Sequence, residues 1–261
     1  MSPELVPSGL QPRVGLVLGA GGALGAALMT GALPAVQERL GRPLGEVDLL
    51  VGTSAGSVVA AALRCGVSVD EMVAHQRGEA MGVLGSADLD EVAGRPWPLP
   101  PRLRLGSPRL MLATVMRPHR MHPAVGASAW LPPGRGSHRP LRDMVHALHC
   151  HAHGHPSPPD WVDGGQTWIV AVDYDSGRRV IFGRAGAPSA TLPDAVVASC
   201  SIPGWYTPAV IGRRRYVDGG VRSSTSLGVL TRADVDEVFV LAPMASIVAG
   251  RPRQPHERLE R

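Results

Sequence analysis

The chain has 261 residues, of which 44% are hydrophobic and 18% charged, a globular composition that excludes an intrinsically disordered protein and favours one large domain. Aromatic residues reach only 4%, and single-stranded nucleic-acid binders depend on aromatic stacking platforms, so no nucleic-acid partner is expected. The formal net charge is +4 and all 26 basic residues are arginines, which is compatible with anionic lipid or phosphate partners without requiring them.

The cysteines and the N-terminus indicate the compartment. Cys65, Cys150 and Cys200 are odd in number and widely spaced, so no disulfide framework is visible and a reducing, cytoplasmic location is expected. Residues 1–13 contain prolines and no apolar run, which predicts a disordered N-terminus and no signal peptide. The sequence contains no run of 18 apolar residues, so no membrane-spanning segment is predicted. Peripheral contact with a membrane stays open.

The first 80 residues alternate predicted strands with predicted helices. In chain order they are a strand at 14–18, a glycine loop at 19–25, a helix at 26–40, a strand at 47–51, a tight turn at 52–56, and helices at 57–64 and 69–78. This alternation favours an α/β fold with a central, mostly parallel sheet between helices, a three-layer sandwich.

The middle of the chain has a different composition. Residues 82–160 are dense in proline, arginine, glycine and histidine, and the prolines of 95–101 and 131–134 exclude regular helix and central strand there. Residues 110–116 and 141–149 have helical composition. We therefore predict that 82–160 is an insertion or a lid over the sheet within one domain, not a separate core.

Regular elements return after this segment. They are a hairpin at 168–172 and 179–182, a helix at 192–199, a strand ending at 217–221 and a last strand at 237–241. The predicted domain thus spans 14–242, and residues 243–261 form a polar tail that we predict to be loose.

A G-x-S-x-G pattern at 52–56 makes Ser54 the candidate nucleophile. It lies between an apolar run and a helix, where a nucleophile on a strained turn needs small neighbours such as Gly52 and Gly56. The helix N-terminus would also direct amide N–H groups toward developing negative charge. The alternative is an ordinary strand-to-helix turn in which the serine only caps the helix.

The first glycine loop could supply the other half of such a site. Acyl transfer needs two N–H donors for the oxyanion, and Gly21 and Gly22 would leave theirs unshielded. The alternative is a dinucleotide loop. Gly19 and Gly21 fit that motif, but its third glycine falls on Leu24, and the acidic residue expected after the second strand is missing.

A carboxylate before two glycines completes the set. A serine hydroxyl is a weak nucleophile and needs an adjacent base, which Asp218 could provide at the end of its predicted strand. The alternative is a turn aspartate, which is common before glycine.

Together these motifs resemble the patatin-like phospholipase family. The glycine loop at 19–25, the serine motif at 52–56 and Asp-Gly-Gly at 218–220 occur in that order, and residues 198–204 (ASCSIPG) and 215–217 (RYV) also look like the family. The resemblance covers roughly 14–242, and 82–160 matches poorly.

The resemblance implies a three-layer α/β fold with a Ser–Asp dyad and no catalytic histidine. It makes Ser54 the nucleophile, Asp218 the base, and the N–H groups of Gly21 and Gly22 the oxyanion hole. The motif glycines are Gly19, Gly25, Gly52, Gly56, Gly219 and Gly220. The implied substrate is a lipid or another acyl ester, with no cofactor and no metal.

Two positions depart from the family pattern. The loop is usually G-G-G-x-R-G in the family, whereas this chain has Ala20 at the first glycine and Leu24 at the arginine. The donors are backbone groups, so the oxyanion hole could survive, but any role of the arginine in anchoring the loop or an anionic head group is in doubt.

Several alternatives stay open at this point. Five histidines between 146 and 155, with Cys150 among them, could form a zinc or nickel site or a solvated surface segment, and a histidine could replace Asp218 as the base. Trp205 and Tyr206 could line an acyl pocket or pack in the core. An acyltransferase, a general carboxylesterase or a non-catalytic lipid-binding module would fit the same motifs, and the oligomeric state is not indicated.

Overall fold

The computed structural model describes residues 12–79, 104–155 and 160–245, together with the pairs 247–248 and 251–252. The predicted disordered N-terminus, 1–13, and loose tail, 243–261, fall largely outside these residues. The first part of the predicted insertion, including the proline-rich segment 95–101, also lies outside them.

The described residues form one seven-stranded sheet and a separate two-stranded pair. The strands are β1 Val14–Leu18, β2 Leu49–Thr53, β3 Gln166–Asp173, β4 Arg179–Phe182, β5 Ala209–Ile211, β6 Arg214–Asp218, β7 Glu237–Leu241, and the pair β8 Ile247–Val248 and β9 Arg251–Pro252. The large sheet has the order β5-β6-β3-β2-β1-β7, with β4 also paired to β3. Strands β3, β2, β1 and β7 are mutually parallel, and β4 and β6 run antiparallel to β3.

The helices lie on both sides of this sheet. They are α1 Gly22–Leu40, α2 Ala55–Arg64, α3 Val69–Gln76, α4 Pro108–Met116, α5 Pro123–Ser128, α6 Arg139–His153 and α7 Leu192–Ser199. Helices α1, α2, α3, α6 and α7 contribute to the main hydrophobic core, whereas α4 and α5 pack on a separate cluster.

The buried strands explain why these layers form. Along β3, Ile169 and Ala171 face the main core, and the alternate residues Val170 and Val172 face clusters on the other side, as strand geometry requires. Strands buried on both faces are apolar throughout. The structure thus confirms the predicted three-layer α/β sandwich with a central, mostly parallel sheet.

The register of β3 positions two strand ends against each other. Thr53, the last residue of β2, pairs with Val170, and Asp218, the last residue of β6, pairs with the next residue, Ala171. Because β4 pairs with both of these β3 residues on one edge, β2 and β6 must share the other edge. The two strands therefore meet end to end.

The predicted turn at 52–56 is wrong in extent. Strand β2 continues through Thr53 and α2 begins at Ala55, so Ser54 alone connects the two elements. Helix α1 likewise begins at Gly22 rather than residue 26, because the loop glycines form its first turn. The predicted hairpin, the helix at 192–199 and the strand at 237–241 are confirmed.

The second half of the proline-rich segment contributes to both outer layers. Leu141, Val145 and Leu148 of α6 enter the main core, and Leu110 and Val125 pack on the opposite face of the sheet. The spacing of these three α6 residues is the apolar stripe of a core-facing amphipathic helix, a sequence signal that the prediction of an insertion did not use.

No helix among the described residues is long and apolar enough to cross a membrane.

Candidate active site

Ser54 occupies a backbone conformation that few side chains adopt. Its φ of 53° and ψ of −123° fall outside the regions that ordinary residues occupy, as expected for a serine at a sharp strand-to-helix turn. The flanking glycines permit the turn. A Cβ on Gly56 would lie 2.0 Å from the Leu18 carbonyl oxygen, and one on Gly52 would lie 2.5 Å from the Ser57 Cα.

The Ser54 hydroxyl donates a hydrogen bond of 2.6 Å to Oδ2 of Asp218. Both side chains are buried, with exposed fractions of 6% and 4%. The hydroxyl does not cap α2, so the interpretation of Ser54 as a simple helix cap is wrong. The two residues are 164 positions apart in sequence, and the end-to-end arrangement of β2 and β6 brings them together.

Asp218 has two roles, one for each carboxylate oxygen. Oδ1 accepts a hydrogen bond of 2.7 Å from the Gly220 N–H, which is the turn role that the sequence also allowed. Oδ2 faces Ser54. The turn is tight, since a Cβ on Gly219 would lie 2.4 Å from the Val170 carbonyl oxygen.

Burial changes the acidity of this carboxyl. Removal from water raises the pKa of Asp218 to about 6, and the hydrogen bonds from Ser54 and Gly220 oppose that rise only in part. The group is thus ionised at neutral pH, yet far more basic than an exposed aspartate. A base of this kind is better matched to proton transfer near neutral pH.

Ser199 supports Ser54, a role that the sequence analysis did not assign. Its hydroxyl accepts a hydrogen bond of 2.8 Å from the Ser54 N–H and donates one of 2.6 Å to the Val170 carbonyl. The strained residue is thereby attached to β3. The only sequence signal was the position of Ser199 within the family-like segment 198–204.

A second group of buried hydroxyls holds the end of β2. The Thr53 hydroxyl donates to the Ser226 Oγ over 3.0 Å, and the Ser226 N–H donates to the Ser223 Oγ over 2.9 Å. Ser223 and Ser226 lie in the serine-rich segment after Asp218, which the sequence analysis also passed over.

The first glycine loop lies beside both motif turns. The Gly56 N–H donates to the Gly19 carbonyl over 3.1 Å, and a Cβ on Gly220 would lie 3.1 Å from the Ala20 Cβ. Gly21 precedes α1 and Gly22 is its first residue, so their N–H groups have no acceptor within the helix.

These two amides are the candidate oxyanion donors. The amides of Ser54 and Gly56, at the start of α2, already donate to protein oxygens. The first turn of α1 instead has N–H groups without an acceptor inside the helix, and it carries the positive end of the helix dipole. Gly25 packs closely there, since a Cβ on it would lie 3.3 Å from Pro243 Cβ.

Cys200 is a thiol next to this site. Its Sγ lies 3.6 Å from the Ser57 Oγ. Burial and then the nearby Asp218 carboxylate raise the pKa of Cys200 to about 12, so it stays a neutral thiol and a poor nucleophile.

The histidines occupy other positions. His138 stacks on Tyr206, and its Nε2 lies 2.7 Å from the Thr207 carbonyl oxygen and 3.4 Å from the Ser201 hydroxyl. In the histidine-rich segment, His149 is buried and Cys150 contacts His146. Within 12–79, 104–155 and 160–245, no group of three or more His, Cys, Asp or Glu is arranged to hold a metal ion.

Trp205 and Tyr206 follow Ser201, a residue whose backbone contacts Asp218. The Asp218 N–H donates to the Ser201 carbonyl, and segment 203–206 contacts the loop around Gly134 and Gly136. Trp205 is 38% exposed, so it is not a core residue, contrary to the core-packing interpretation.

Comparison with known proteins gives one family and a group of remote structural likenesses. A family model described as patatin-like phospholipase matches residues 16–231. No curated protein matches the chain.

Among solved structures, VipD from Legionella pneumophila is 15% identical with a TM-score of 0.47, over 82% of this chain and 47% of that one. The type III effector protein ExoU is 20% identical with a TM-score of 0.36, over 74% and 41% of the two chains. A structure of full-length SpcU with full-length ExoU from Pseudomonas aeruginosa is 18% identical with a TM-score of 0.37, over 77% of this chain and 39% of that one. The chain thus spans less than half the length of the structures it matches.

The family model extends over most of the chain, from β1 to the segment after Asp218, and it includes all three motifs of the site. The chain therefore belongs to the patatin-like phospholipase family.

Proposed function

We propose that the protein is a lipid acyl hydrolase that cleaves carboxylic esters through a Ser54 acyl-enzyme, with Asp218 as the base. The observation that carries the proposal is the 2.6 Å hydrogen bond from the Ser54 hydroxyl to the buried Asp218 carboxylate, on a strained strand-to-helix turn. A nucleophile in hydrogen-bonding reach of a base with a raised pKa is the arrangement that covalent acyl transfer requires.

The proposed reaction has two halves. Asp218 takes the proton of Ser54 as Oγ attacks the ester carbonyl, and the oxyanion is held by the N–H groups of Gly21 and Gly22. Collapse of this tetrahedral intermediate breaks the ester C–O bond and releases the alcohol, which receives the proton from Asp218. Water then attacks the acyl-enzyme, with Asp218 again taking a proton, and the returned proton restores Ser54 as the fatty acid leaves.

Exposed apolar side chains near the site support a lipid substrate. Leu24 and Leu28, on the first two turns of α1, are 86% and 57% exposed and follow directly on the candidate oxyanion loop. Trp205 is also exposed, in the segment that follows Ser201, whose carbonyl accepts a hydrogen bond from the Asp218 N–H. Apolar and tryptophan side chains of this kind favour peripheral contact with a lipid surface, which we include in the proposal.

The test compares two substrates in one set of variants. Wild type should release fatty acid from phosphatidylcholine vesicles and alcohol from a short soluble nitrophenyl ester, and Ser54→Ala should do neither. Leu24→Ser with Leu28→Ser should lower vesicle hydrolysis and leave the soluble ester unchanged. Equal loss on both substrates would contradict the role of the two leucines, and full activity of Ser54→Ala would contradict the proposal itself.

Leu24 also favours a second candidate, a non-catalytic lipid-binding module on the same fold, because the family arginine is missing from the oxyanion loop. Lipid binding without turnover of either ester would select this alternative. An acyltransferase would instead form a new ester when glycerol or a lysolipid is supplied as acceptor.

A further inference from the structure

An arginine-lined groove lies beside β4, apart from the Ser54–Asp218 pair. Its volume is about 550 Å³, and the charged residues that line it in the described part of the chain are Arg178, Arg179, Arg184, Arg214 and one acid, Asp173. Arginines therefore outnumber acids four to one among these lining residues. Such an excess of positive charge in a concave surface concentrates anions.

Three chain segments bring these arginines together. Arg178 and Arg179 come from the turn into β4 and its first residue, Arg184 follows the end of β4, and Arg214 begins β6. Arginines scattered at random over the surface would not converge on one groove from separate elements. The sheet itself fixes their relative positions.

The one acid in the groove is already occupied. Oδ1 of Asp173 accepts hydrogen bonds from the backbone N–H groups of Asp175 and Ser176, and Oδ2 pairs with Arg214 at 3.3 Å. Asp173 is itself 5% exposed. One carboxylate therefore does not balance the charge of four arginines.

The guanidinium group of Arg184 packs on the Trp168 ring. Its guanidinium carbon lies 5.8 Å from the centre of the Trp168 ring. A guanidinium group that packs its face on an aromatic ring keeps its N–H edge available for hydrogen bonds. That edge matches the spacing of two phosphate oxygens.

We propose that this groove is a binding site for a phosphate-bearing anion, either a lipid head group or a free phosphate compound. Arginine forks bind phosphate in a bidentate manner, and an open groove of this size admits a phosphate with its substituent. Ser54 and Asp218 are not among the described residues that line the groove, so it does not use the candidate catalytic pair. The proposal does not depend on the proposed hydrolase activity.

The experiment measures anion binding directly. Inorganic pyrophosphate is titrated into the full chain by calorimetry, and vesicles of phosphatidylcholine, with or without about 20% phosphatidylglycerol or phosphatidylinositol phosphate, are tested by co-sedimentation. We expect the double variant Arg178→Gln with Arg184→Gln to weaken binding by about tenfold or more, because two bidentate contacts are lost. Ala185→Glu adds a negative charge to the groove, keeps every arginine, and should weaken binding similarly.

The matched control removes the same charge elsewhere. Arg39→Gln with Arg77→Gln alters two exposed arginines outside the groove and should bind as wild type does. Tight pyrophosphate binding identifies a free phosphate compound as a ligand, and binding only to charged vesicles identifies a lipid head group. Unchanged binding in both groove variants, an equal loss in the control, or no binding in either assay would overturn the proposal. Hydrolysis of a soluble ester, unchanged in all variants, separates this outcome from failure of the hydrolase proposal.

Discussion

Asp218 experiences two opposing influences, and burial is the stronger one. Loss of water raises the pKa, and the hydrogen bonds from Ser54 and Gly220 lower it by less, which leaves it at about 6. The carboxyl group of an exposed aspartate titrates near 4. As the pH is lowered, the proposed base therefore becomes protonated at a pH about two units higher than an exposed aspartate does.

The pH dependence of turnover follows from this shift. Protonated Asp218 cannot accept the Ser54 proton, so kcat/KM should be constant above neutral pH and fall about tenfold per pH unit below about pH 6. Initial rates on a soluble ester from about pH 5 to about pH 8, with circular dichroism at each pH to verify folding, would measure this. A rate that stays constant down to about pH 4.5 would contradict the raised pKa.

Ser199 offers a test of positioning without touching the dyad. Ser199→Ala leaves the buried Ser54 N–H without its acceptor and frees the strained residue from β3. We expect kcat to fall about tenfold to a hundredfold with KM nearly constant, because Ser54 loses the contact that fixes the position of its backbone and hydroxyl.

Ser128 provides the control for that variant. It is a buried serine whose hydroxyl donates to the Val125 carbonyl in α5. Ser128→Ala should cost similar folding stability in urea unfolding and leave kcat unchanged. Equal kinetic effects in the two variants would mean that Ser199 has no special role.

At the scale of elements, the contact between α2 and β1 depends on one glycine. A Cβ on Gly56 would lie 2.0 Å from the Leu18 carbonyl oxygen, which is backbone and cannot rotate away. Gly56→Ala should therefore push α2 off the sheet, remove measurable ester hydrolysis and lower the free energy of unfolding by about 3 kcal/mol or more.

Helix α1 contains a glycine, Gly31, that serves as the control for Gly56→Ala. An added Cβ on Gly31 would meet nothing within 4 Å. Gly31→Ala should raise the free energy of unfolding by about 0.5–1 kcal/mol, because alanine is the better helix former, and leave activity intact. Thermal unfolding of both variants would measure the contrast, and an active, stable Gly56→Ala protein would refute it.

The end of α2 opposite Ser54 is held by a buried arginine. Arg64 donates to the Thr167 hydroxyl and to the carbonyls of Gly45, Val47, Gly164 and Gln166. Burial lowers the pKa of Arg64 to about 10, which still leaves it charged at neutral pH.

Replacing that arginine should therefore cost stability. Arg64→Met leaves the five acceptors unsatisfied, and we expect the free energy of unfolding to fall by about 3 kcal/mol or more. Arg39, in the last turn of α1, is exposed, so Arg39→Met should change the free energy of unfolding by less than about 0.5 kcal/mol. Similar urea midpoints for the two variants would contradict the structural role of Arg64.

At the scale of the whole molecule, local signals predicted the layers and the motifs. Apolar runs such as 14–18 predict strands, and glycine spacing identified the turn at Ser54 and the turn after Asp218. These features depend on neighbours in sequence, so a single sequence contains them.

Other features depend on register between distant segments. The meeting of β2 and β6 on one edge of β3 decides that Ser54 reaches Asp218, and no local pattern encodes it. Ser199 lies 145 positions from Ser54, and the arginines of the β4 groove come from three segments. The role of α6 in the main core was instead encoded locally, in the spacing of Leu141, Val145 and Leu148, and the sequence analysis did not use it.

The most direct test of the account is covalent labelling of the nucleophile. A fluorophosphonate probe is applied to wild type, Ser54→Ala and Asp218→Ala, with the adduct located by mass spectrometry. Wild type should carry one adduct on Ser54, Ser54→Ala none, and Asp218→Ala should react at least about a hundredfold more slowly, because the hydroxyl has lost its base. Labelling of Ser54→Ala at the wild-type rate, or of Asp218→Ala as fast as wild type, would contradict the proposed dyad.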